Sequence, residues 1–215
     1  MDIEYGITGN VVFKDGQVVN ISHIYSLNFR IARQIIGCSK PILPFLLNIR
    51  ENTIYNTIIL SPPGRGKTTI LRDCVRTISN GILEYGFKGI NVGVVDERGE
   101  IAAMYKGIPQ NDLGERTDIL DNVSKDLGMK MLIRSMSPNV IVADEIGTYE
   151  DIEAINYAIT SGVKGLFTAH GNDLKDIVLN PILNKLYELH IIEKIILIEP
   201  NRELTLIYDS FTKDT

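Results

Sequence analysis

The stretch Ser61-Pro62-Pro63-Gly64-Arg65-Gly66-Lys67-Thr68-Thr69 has the composition of a loop that joins a strand to a helix. The apolar run 57–60 precedes it, and residues 70–76, with helical spacing of apolar side chains, follow it. At a helix N-terminus, backbone N–H groups and the helix dipole favour a bound phosphate. The sequence therefore predicts a P-loop, in which residues 63–69 bind the phosphates of a nucleotide.

Two glycines and two polar side chains of this loop have specific expected roles. Gly64 and Gly66 can take backbone angles that are closed to other residues, which lets the chain approach the phosphates. Lys67 is expected to reach the β- and γ-phosphates, and the Thr68 hydroxyl is expected to hold Mg²⁺. The usual pattern has glycine where this chain has Ser61, so a strand-to-helix turn with a chance Gly-Lys-Thr remains the alternative.

The composition is that of an ordinary globular protein without an excess of positive charge. Of the 215 residues, 44% are hydrophobic and 23% are charged, and the net charge is −5. Proteins that bind nucleic acid without sequence preference usually carry a basic excess, so we expect no nucleic-acid partner. The two cysteines have no metal-ligand spacing, which indicates a reducing, cytoplasmic compartment.

Two further features bear on the relation to membranes. The first residues, Met1-Asp2-Ile3-Glu4-Tyr5, are acidic where a signal peptide is basic. No apolar run approaches the roughly 18–20 residues that a membrane span needs. We therefore expect no direct span, and any association with a membrane is expected to depend on partner proteins.

The first 25 residues are predicted to form a small β-hairpin. Apolar runs at 11–13 and 18–19 flank Asp15-Gly16, and Asp-Gly is a strong signal for a hairpin turn. An isolated hairpin is marginally stable, so we expect the chain to begin inside a larger N-terminal domain.

Two helices are predicted between this hairpin and the strand that leads into the P-loop. Leu27, Ile31 and Ile35 have helical spacing, and Gly37 is a stop signal, which together predict a helix over 26–36. A second, short helix is predicted over 41–48.

After the P-loop, strands and helices are predicted to alternate. Strands are predicted at 90–95, 140–145 and 163–167, with helices at 124–136, from Thr148 onward and at 173–188. Residues 104–122 are predicted to be mainly loop with a short helix at 117–121, and strands 191–199 and 203–208 are predicted to form a closing antiparallel hairpin. Such alternation implies a mostly parallel sheet with helices on both faces.

The predicted fold class is α/β, a RecA-like P-loop NTPase with a mostly parallel sheet. A small N-terminal appendage of β-hairpin and helix precedes it, and a C-terminal antiparallel hairpin closes it. We expect residues 1–50 to be a remnant of an N-terminal domain with its linker, and residues 51–215 to form the RecA-like P-loop domain.

Polar motifs follow three further strands, at the ends where parallel sheets bind ligands. Asp144 ends a hydrophobic strand, as a Mg²⁺-binding Walker B aspartate does, and the adjacent Glu145 can deprotonate an attacking water. Glu97, after another strand, competes with Glu145 for this role, and we favour Glu145. The alternatives are a helix N-cap for the acidic pair at 144–145 and a surface salt bridge between Glu97 and Arg98.

Positive charge at the γ-phosphate is the remaining requirement for phosphoryl transfer, and an arginine finger can provide it. The candidates are Arg98, Arg116 and Arg134. If the finger comes from a neighbouring subunit, activity requires assembly. His170, at the end of its strand, either senses the γ-phosphate or bonds a neighbouring loop as a structural histidine.

Longer motifs carry a resemblance to a known family. They are 61–73, Val95-Asp96-Glu97-Arg98-Gly99-Glu100-Ile101-Ala102, Arg134-Ser135-Met136-Ser137-Pro138, Asp144-Glu145-Ile146-Gly147 and Thr168-Ala169-His170-Gly171. With them the chain resembles the stage III sporulation protein AA family over nearly its whole length. Serine at position 61 is usual in that family, which removes the one departure from the P-loop pattern.

The resemblance implies an ATPase similar to those of type II and type IV secretion systems. By that likeness Asp96-Glu97-Arg98 corresponds to their Asp box, Asp144-Glu145 to Walker B, where they commonly have Gly-Glu, and Thr168-Ala169-His170 to their His box. It further implies ATP and Mg²⁺ as cofactors, a hexameric ring with nucleotide between subunits, and membrane proteins of a channel between mother cell and forespore as partners. The expected location is the mother-cell cytoplasm, peripheral to the membrane.

Three other functions remain open at this point. A small-molecule kinase also uses a P-loop, and the loop at 104–122 could serve as its lid. A nucleic-acid-stimulated RecA-like ATPase is a second, although the acidic balance of the chain argues against it. A nucleotide-binding scaffold without turnover is the third.

Overall fold

The computed structural model describes residues 2–199, 201 and 203–210. The chain divides into two compact units, Met1–Arg33 and Gln34–Thr215. The strands are β1 Asp2–Lys14, β2 Gln17–Ala32, β3 Leu47–Asn48, β4 Thr53–Ile54, β5 Thr57–Ser61, β6 Gly81–Ile82, β7 Phe87–Lys88, β8 Val92–Asp96, β9 Met104–Tyr105, β10 Ile108–Pro109, β11 Thr117–Asp121, β12 Val140–Ala143, β13 Lys164–His170, β14 Lys194–Ile198 and β15 Leu204–Asp209. The α-helices are α1 Leu43–Leu46, α2 Lys67–Asn80, α3 Lys125–Met136, α4 Tyr149–Thr160, α5 Leu174–Leu179 and α6 Pro181–Glu188.

The first unit is a long antiparallel hairpin of β1 and β2. The strands are joined at Asp15 and Gly16, whose φ angles are 53° and 77°. Two successive residues with positive φ are the signature of a type I′ turn, whose twist matches that of the paired strands. The predicted N-terminal hairpin is therefore confirmed, and it extends well beyond residue 25.

The helix predicted over 26–36 is wrong, because β2 continues as a strand to Ala32. Leu27 and Phe29 alternate with Ser26 and Asn28, which is the two-residue period of a strand. β1 supplies a hydrogen-bonding partner along this stretch, with Ile7 opposite Leu27. The helical spacing within 26–36 is therefore a weaker signal than the two-residue alternation, which agrees with the pairing to β1.

The second unit is built on a seven-stranded sheet with the order β11-β8-β12-β13-β5-β14-β15. β14 and β15 pair antiparallel, and the other neighbouring strands pair parallel. This confirms the mostly parallel sheet and the C-terminal hairpin, although Pro200 and Arg202 of its connection lie outside the described residues. Parallel pairing brings the carboxyl ends of β5, β8, β12 and β13 to one edge.

The short helix predicted at 117–121 is also wrong, because these residues form the edge strand β11. Thr117 pairs with Val92 and Asp121 with Asp96 in parallel register. Ile119 packs against the core on one face of the sheet and Leu120 against the core on the other. Part of the segment 104–122, which could serve as the lid of a kinase, is therefore a strand of the sheet.

Helices cover both faces of this sheet, as the alternating pattern predicts. Ile59 of β5 packs with α2 in one core, whereas Ile58 and Leu60 pack with α4 and α6 in the other. α4 follows Thr148, as predicted, and begins with a capping box in which Thr148 and Asp151 bond each other's backbone N–H groups. Among the described helices, none has both the length and the apolar character that crossing a membrane requires.

The segment after the hairpin is attached to α2 through the buried carboxylate of Asp73. Its oxygens accept hydrogen bonds from the Gly37 N–H at 3.0 Å, the Ser39 N–H at 2.8 Å and the Ser39 hydroxyl at 2.6 Å, and Arg76 donates at 2.7 Å. Residues 34–50, which include α1, therefore belong to the compact second unit. That residues 1–50 are the remnant of an N-terminal domain with its linker stays a prediction.

We expect Asp73→Ala to lower the free energy of unfolding by about 2–4 kcal/mol, because it leaves several buried donors without an acceptor. Asp73→Asn keeps one acceptor oxygen and should lose less. The measurement is urea denaturation followed by circular dichroism. Exposed Glu153 provides the control, since Glu153→Ala should change stability by less than about 0.5 kcal/mol. Equal stability of Asp73→Ala and Glu153→Ala would contradict the assigned role.

Candidate functional site

The P-loop runs from the end of β5 to the first turn of α2, as the sequence predicts. Ser61 is the fully buried last residue of β5, and its hydroxyl donates to the Pro62 carbonyl at 2.8 Å. The positive φ angles fall on Gly64 (73°) and Gly66 (95°), so the serine needs no special conformation. Gly66 caps α2 without a side-chain acceptor, which leaves the N–H groups of the first turn available to an anion.

The remaining predicted members of the loop differ in their exposure to solvent. Pro63 is exposed, whereas Arg65 and Thr69 are half-buried. Lys67 is buried, and its Nζ lies 3.0 Å from the Ser61 carbonyl and 3.0 Å from His170 Nδ1. Burial lowers the pKa of the Lys67 ammonium, and the nearby carboxylates of Asp144 and Glu145 partly oppose this effect. Additional negative charge beside Lys67 would therefore stabilise its charged form.

Asp144 is the centre of a hydrogen-bond network that joins three strand ends. The Thr68 hydroxyl donates to its Oδ2 at 2.5 Å, and the hydroxyl of Thr168 donates to its Oδ1. Thr168 is fully buried at the end of β13. The predicted metal ligands Thr68 and Asp144 are thus brought together. Thr168 orients the carboxylate by bonding the oxygen that Thr68 does not.

Glu145 has a left-handed backbone conformation, with φ at 53°. Such angles are unfavourable for residues other than glycine and persist where surrounding contacts impose them. Here the Thr168 hydroxyl accepts from the Glu145 N–H at 2.8 Å, and the Thr168 carbonyl accepts from the Ile146 N–H at 2.8 Å. Thr168 therefore fixes the turn that directs Glu145, as well as the carboxylate of Asp144.

The Glu145 carboxylate contacts two of the other predicted catalytic side chains. Arg98 donates to its Oε2 at 2.5 Å, and His170 Nε2 lies 3.3 Å from its Oε1. When Lys67 is charged, its ammonium can only donate, so Nδ1 of His170 accepts and a neutral ring then carries its proton on Nε2, facing Glu145. His170 thus links the P-loop lysine to Glu145.

Asp96 and Glu97 have different surroundings, although they are adjacent. Asp96 is buried, and its two oxygens accept from the N–H groups of Ile101 at 3.1 Å and Ala102 at 2.8 Å. Burial raises the pKa of the Asp96 carboxyl, and these backbone N–H groups partly oppose that. Glu97 is exposed and pairs with Lys125 Nζ at 2.7 Å. Asp96 therefore organises its loop, while Glu97 faces the pocket between the two acidic loops.

The three candidate arginine fingers lie in different places. Arg98 is at the site, in contact with Glu145. Arg116 precedes the first residue of β11 and donates to the Ser79 carbonyl at 3.1 Å, and Arg134 lies in the last turn of α3, 5.9 Å from the Tyr157 ring. Both lie towards the amino ends of the strands, the edge opposite the P-loop. Within one chain only Arg98 of these three can reach the site.

Sequence reasoning assigned no role to two residues that the structure places at the site, Thr168 and Lys125. Thr168 was noted only as part of the motif 168–171. Lys125 is the first residue of α3, where the helix dipole disfavours a cation. That position was the one available signal that Lys125 has an anionic partner.

The residues of the site fit a nucleotide with Mg²⁺. Mg²⁺ usually takes one or two protein oxygens together with phosphate oxygens and water. The hydroxyl of Thr68 and the carboxylate of Asp144, 2.5 Å apart, form such a set. Among the residues that the structure describes, no group of three or more His, Cys, Asp or Glu side chains is placed to hold a metal ion.

Solved structures with a similar fold include an ATPase and a pilus retraction motor. The ATPase DotB of Legionella pneumophila matches with a TM-score of 0.56 and 15% identity, over 95% of this chain and 56% of that chain. The pilus retraction motor PilT, solved with bound ADP, matches with a TM-score of 0.53 and 16% identity, over 95% of this chain and 62% of that chain. The fold and the site thus define an α/β protein with a P-loop, similar in fold to that ATPase and that motor.

More closely, the chain belongs to the family described as sporulation stage III, protein AA, whose sequence pattern matches residues 3–213. It is 43% identical to stage III sporulation protein AA of Bacillus subtilis (strain 168) over 183 residues, which are 85% of this chain and 58% of that protein. An uncharacterized protein, ycf45 of Cyanidium caldarium, is 32% identical over 168 residues, 76% of this chain and 46% of that protein. The resemblance read from the motifs is confirmed, and the chain spans about half the length of these curated relatives.

We expect Thr168→Val to weaken the Mg²⁺-dependent part of ATP binding by about tenfold, because outer partners of a metal carboxylate set its orientation. Binding of ATP in EDTA should change little, since the P-loop is intact. The measurement is titration calorimetry with and without Mg²⁺. Thr168→Ser keeps the hydroxyl and is the matched control, expected close to the parent chain. Equal Mg²⁺ dependence in the valine and serine variants would contradict the role of the hydroxyl.

Proposed function

We propose that this chain hydrolyses ATP as the motor part of an assembly related to secretion ATPases. The observation that carries the proposal is the convergence of four strand ends on one contact network. In it, Lys67 contacts His170, His170 contacts Glu145, Glu145 contacts Arg98, and Thr68 contacts Asp144. Each of these groups has a place in phosphoryl transfer to water.

The P-loop and Asp144 are proposed to bind and orient the phosphates. Lys67 would direct its ammonium at the β- and γ-phosphates, and the first-turn N–H groups of α2 would add donors. Thr68 and Asp144 would hold Mg²⁺, which when bound neutralises charge on the phosphate oxygens. His170, already in contact with Lys67, would register the γ-phosphate through that lysine.

Glu145 is proposed as the general base in preference to Glu97. The Arg98 side chain that pairs with Glu145 is 64% exposed, and a pair so exposed contributes little and opens readily. Lys125, the partner of Glu97, is only 12% exposed and lies 3.8 Å from a second carboxylate, that of Asp151. Glu97 is therefore the more firmly held of the two, and Glu145 is the one that can turn towards a water.

The assembly, partners and location follow the family resemblance and are part of the proposal. We infer a hexameric ring, whose subunit boundaries would bring Arg116 or Arg134 of a neighbour to the nucleotide, because neither reaches the site of its own chain. Membrane proteins of a channel between mother cell and forespore would be the partners. The chain would then act in the mother-cell cytoplasm, peripheral to the membrane, and without nucleic acid.

We expect Glu145→Gln to lower the rate of ATP hydrolysis by at least about 100-fold while ATP binding is retained, because the amide cannot accept the proton of the water. Hydrolysis is measured as phosphate release over a range of protein concentrations, with light scattering on the same samples. Specific activity of the parent chain should rise with assembly. Glu153→Gln, an exposed glutamate on α4, is the matched control and should retain the parent rate.

Each competing function has its own result in these assays. Phosphate transferred to a small molecule in place of water would indicate a kinase, and strong stimulation by DNA or RNA would indicate a nucleic-acid-dependent ATPase. Tight ATP binding without turnover in the assembled protein would indicate a scaffold. Activity that is flat with concentration and survives Glu145→Gln would contradict the proposed base.

A further inference from the structure

Lys125 occupies a position that is unfavourable for a lysine unless it is paired. It is the first residue of α3, where the positive end of the helix dipole repels a cation. Its side chain is only 12% exposed, so water stabilises the ammonium incompletely. The anions beside it must therefore provide the compensation.

Those anions lie on two different elements of the site, a loop and the first turn of a helix. Lys125 Nζ lies 2.7 Å from Glu97 Oε2, on the loop after β8, and 3.8 Å from Asp151 Oδ2, in the first turn of α4. The same Asp151 oxygen accepts from the N–H groups of Gly147 at 3.0 Å and Thr148 at 3.1 Å. These two residues close the loop that begins with Asp144 and Glu145. One ammonium thus connects both acidic loops.

We propose that Lys125 is a positioning residue for hydrolysis, which sets the spacing of the two acidic loops and holds Glu97 away from the attacking water. This inference rests on the proposed function, since it concerns the same site. Lys125 acts through Glu97 and Asp151 and needs no contact with the nucleotide. In this arrangement it lines the pocket between the loops together with Arg98 and Glu145.

Electrostatics gives the reason that the two loops depend on this residue. The Asp151 side chain is 4% exposed and that of Glu97 is 38% exposed, so at least the first cannot rely on water. Without the ammonium, two carboxylates would face each other across the gap between the loops and repel. Movement of the first loop would carry Arg98 with it, and movement of the second would carry Glu145. The contact between Arg98 and Glu145 would then lose its geometry.

The test compares three lysine variants of the full chain under the conditions in which the parent chain hydrolyses ATP. Lys125→Gln should lower kcat by roughly tenfold to 100-fold with KM for ATP unchanged, because a catalytic group displaced by about 1 Å costs rates of this size. Lys125→Arg keeps the charge and should restore most of kcat. Lys130→Gln, on the same helix, is the matched control and should behave as the parent chain.

A second readout does not require hydrolysis. Hydrogen–deuterium exchange of peptides that cover 96–102 and 145–149 should be faster in Lys125→Gln than in Lys130→Gln, because the loops are no longer tied. If the assembled parent chain has no ATPase activity, the proposed function fails, and the exchange data alone then support or overturn the positioning role.

Three results would overturn the inference. The first is a parent-like kcat in Lys125→Gln. The second is a loss that Lys125→Arg shares in full, since the charge would then not be what matters. The third is unchanged exchange in both loop peptides.

Discussion

The carboxylate of Asp144 is the constraint on which the site depends, because it joins strand ends that are far apart in sequence. Thr68 and Thr168, which donate to its two oxygens, lie 76 and 24 residues away along the chain. Parallel pairing brings the ends of β5, β12 and β13 to one edge, and the strand order places β13 directly between the other two. Each oxygen of the carboxylate has a donor. The Thr168 hydroxyl also accepts from the backbone N–H of Glu145, so the same side chain restrains both acidic residues. A change at the Thr168 hydroxyl therefore affects both the group that would hold a metal and the group that would act on water.

Charge around this centre is arranged so that Glu145, Glu97 and Asp144 each have a basic neighbour from another element. Glu145 has Arg98 and His170, Glu97 has Lys125, and Lys67 lies within the field of Asp144 and Glu145. Burial lowers the pKa of Lys67, so any phosphate that approaches it would favour the charged lysine. The same pairing offsets part of the repulsion between the several carboxylates that share this edge of the sheet.

Much of this organisation could be predicted from the sequence, and the failures have physical causes. Asp144 and Glu145 follow the apolar run 140–143, which is typical of a strand buried on both faces, and His170 follows the next predicted strand, so their convergence could be inferred from topology. The error at 26–36 arose because helical and strand periods coexist there, and only the partner strand β1 decides between them. The edge strand β11 was missed for a similar reason, since five residues carry too little periodicity and the pairing with β8 supplies the rest. Thr168 and Lys125 were missed because their partners lie on other elements, and a local pattern does not identify such partners.

The difference in exposure between the two ion pairs suggests how the site divides into a fixed and a movable part. Lys125, Glu97 and Asp151 form a cluster in which the ammonium is 12% exposed and the Asp151 carboxylate 4% exposed, so removing the cation leaves a buried carboxylate without its ionic partner, which is unfavourable. Arg98, by contrast, is 64% exposed, and pairs of that kind contribute about 0.2–1 kcal/mol. The two acidic loops should consequently move together as one body, while the contact between Arg98 and Glu145 opens and closes within it. A binding event that offers Arg98 a stronger anion than Glu145 would release that carboxylate at small cost, and the release would leave the spacing of the loops intact.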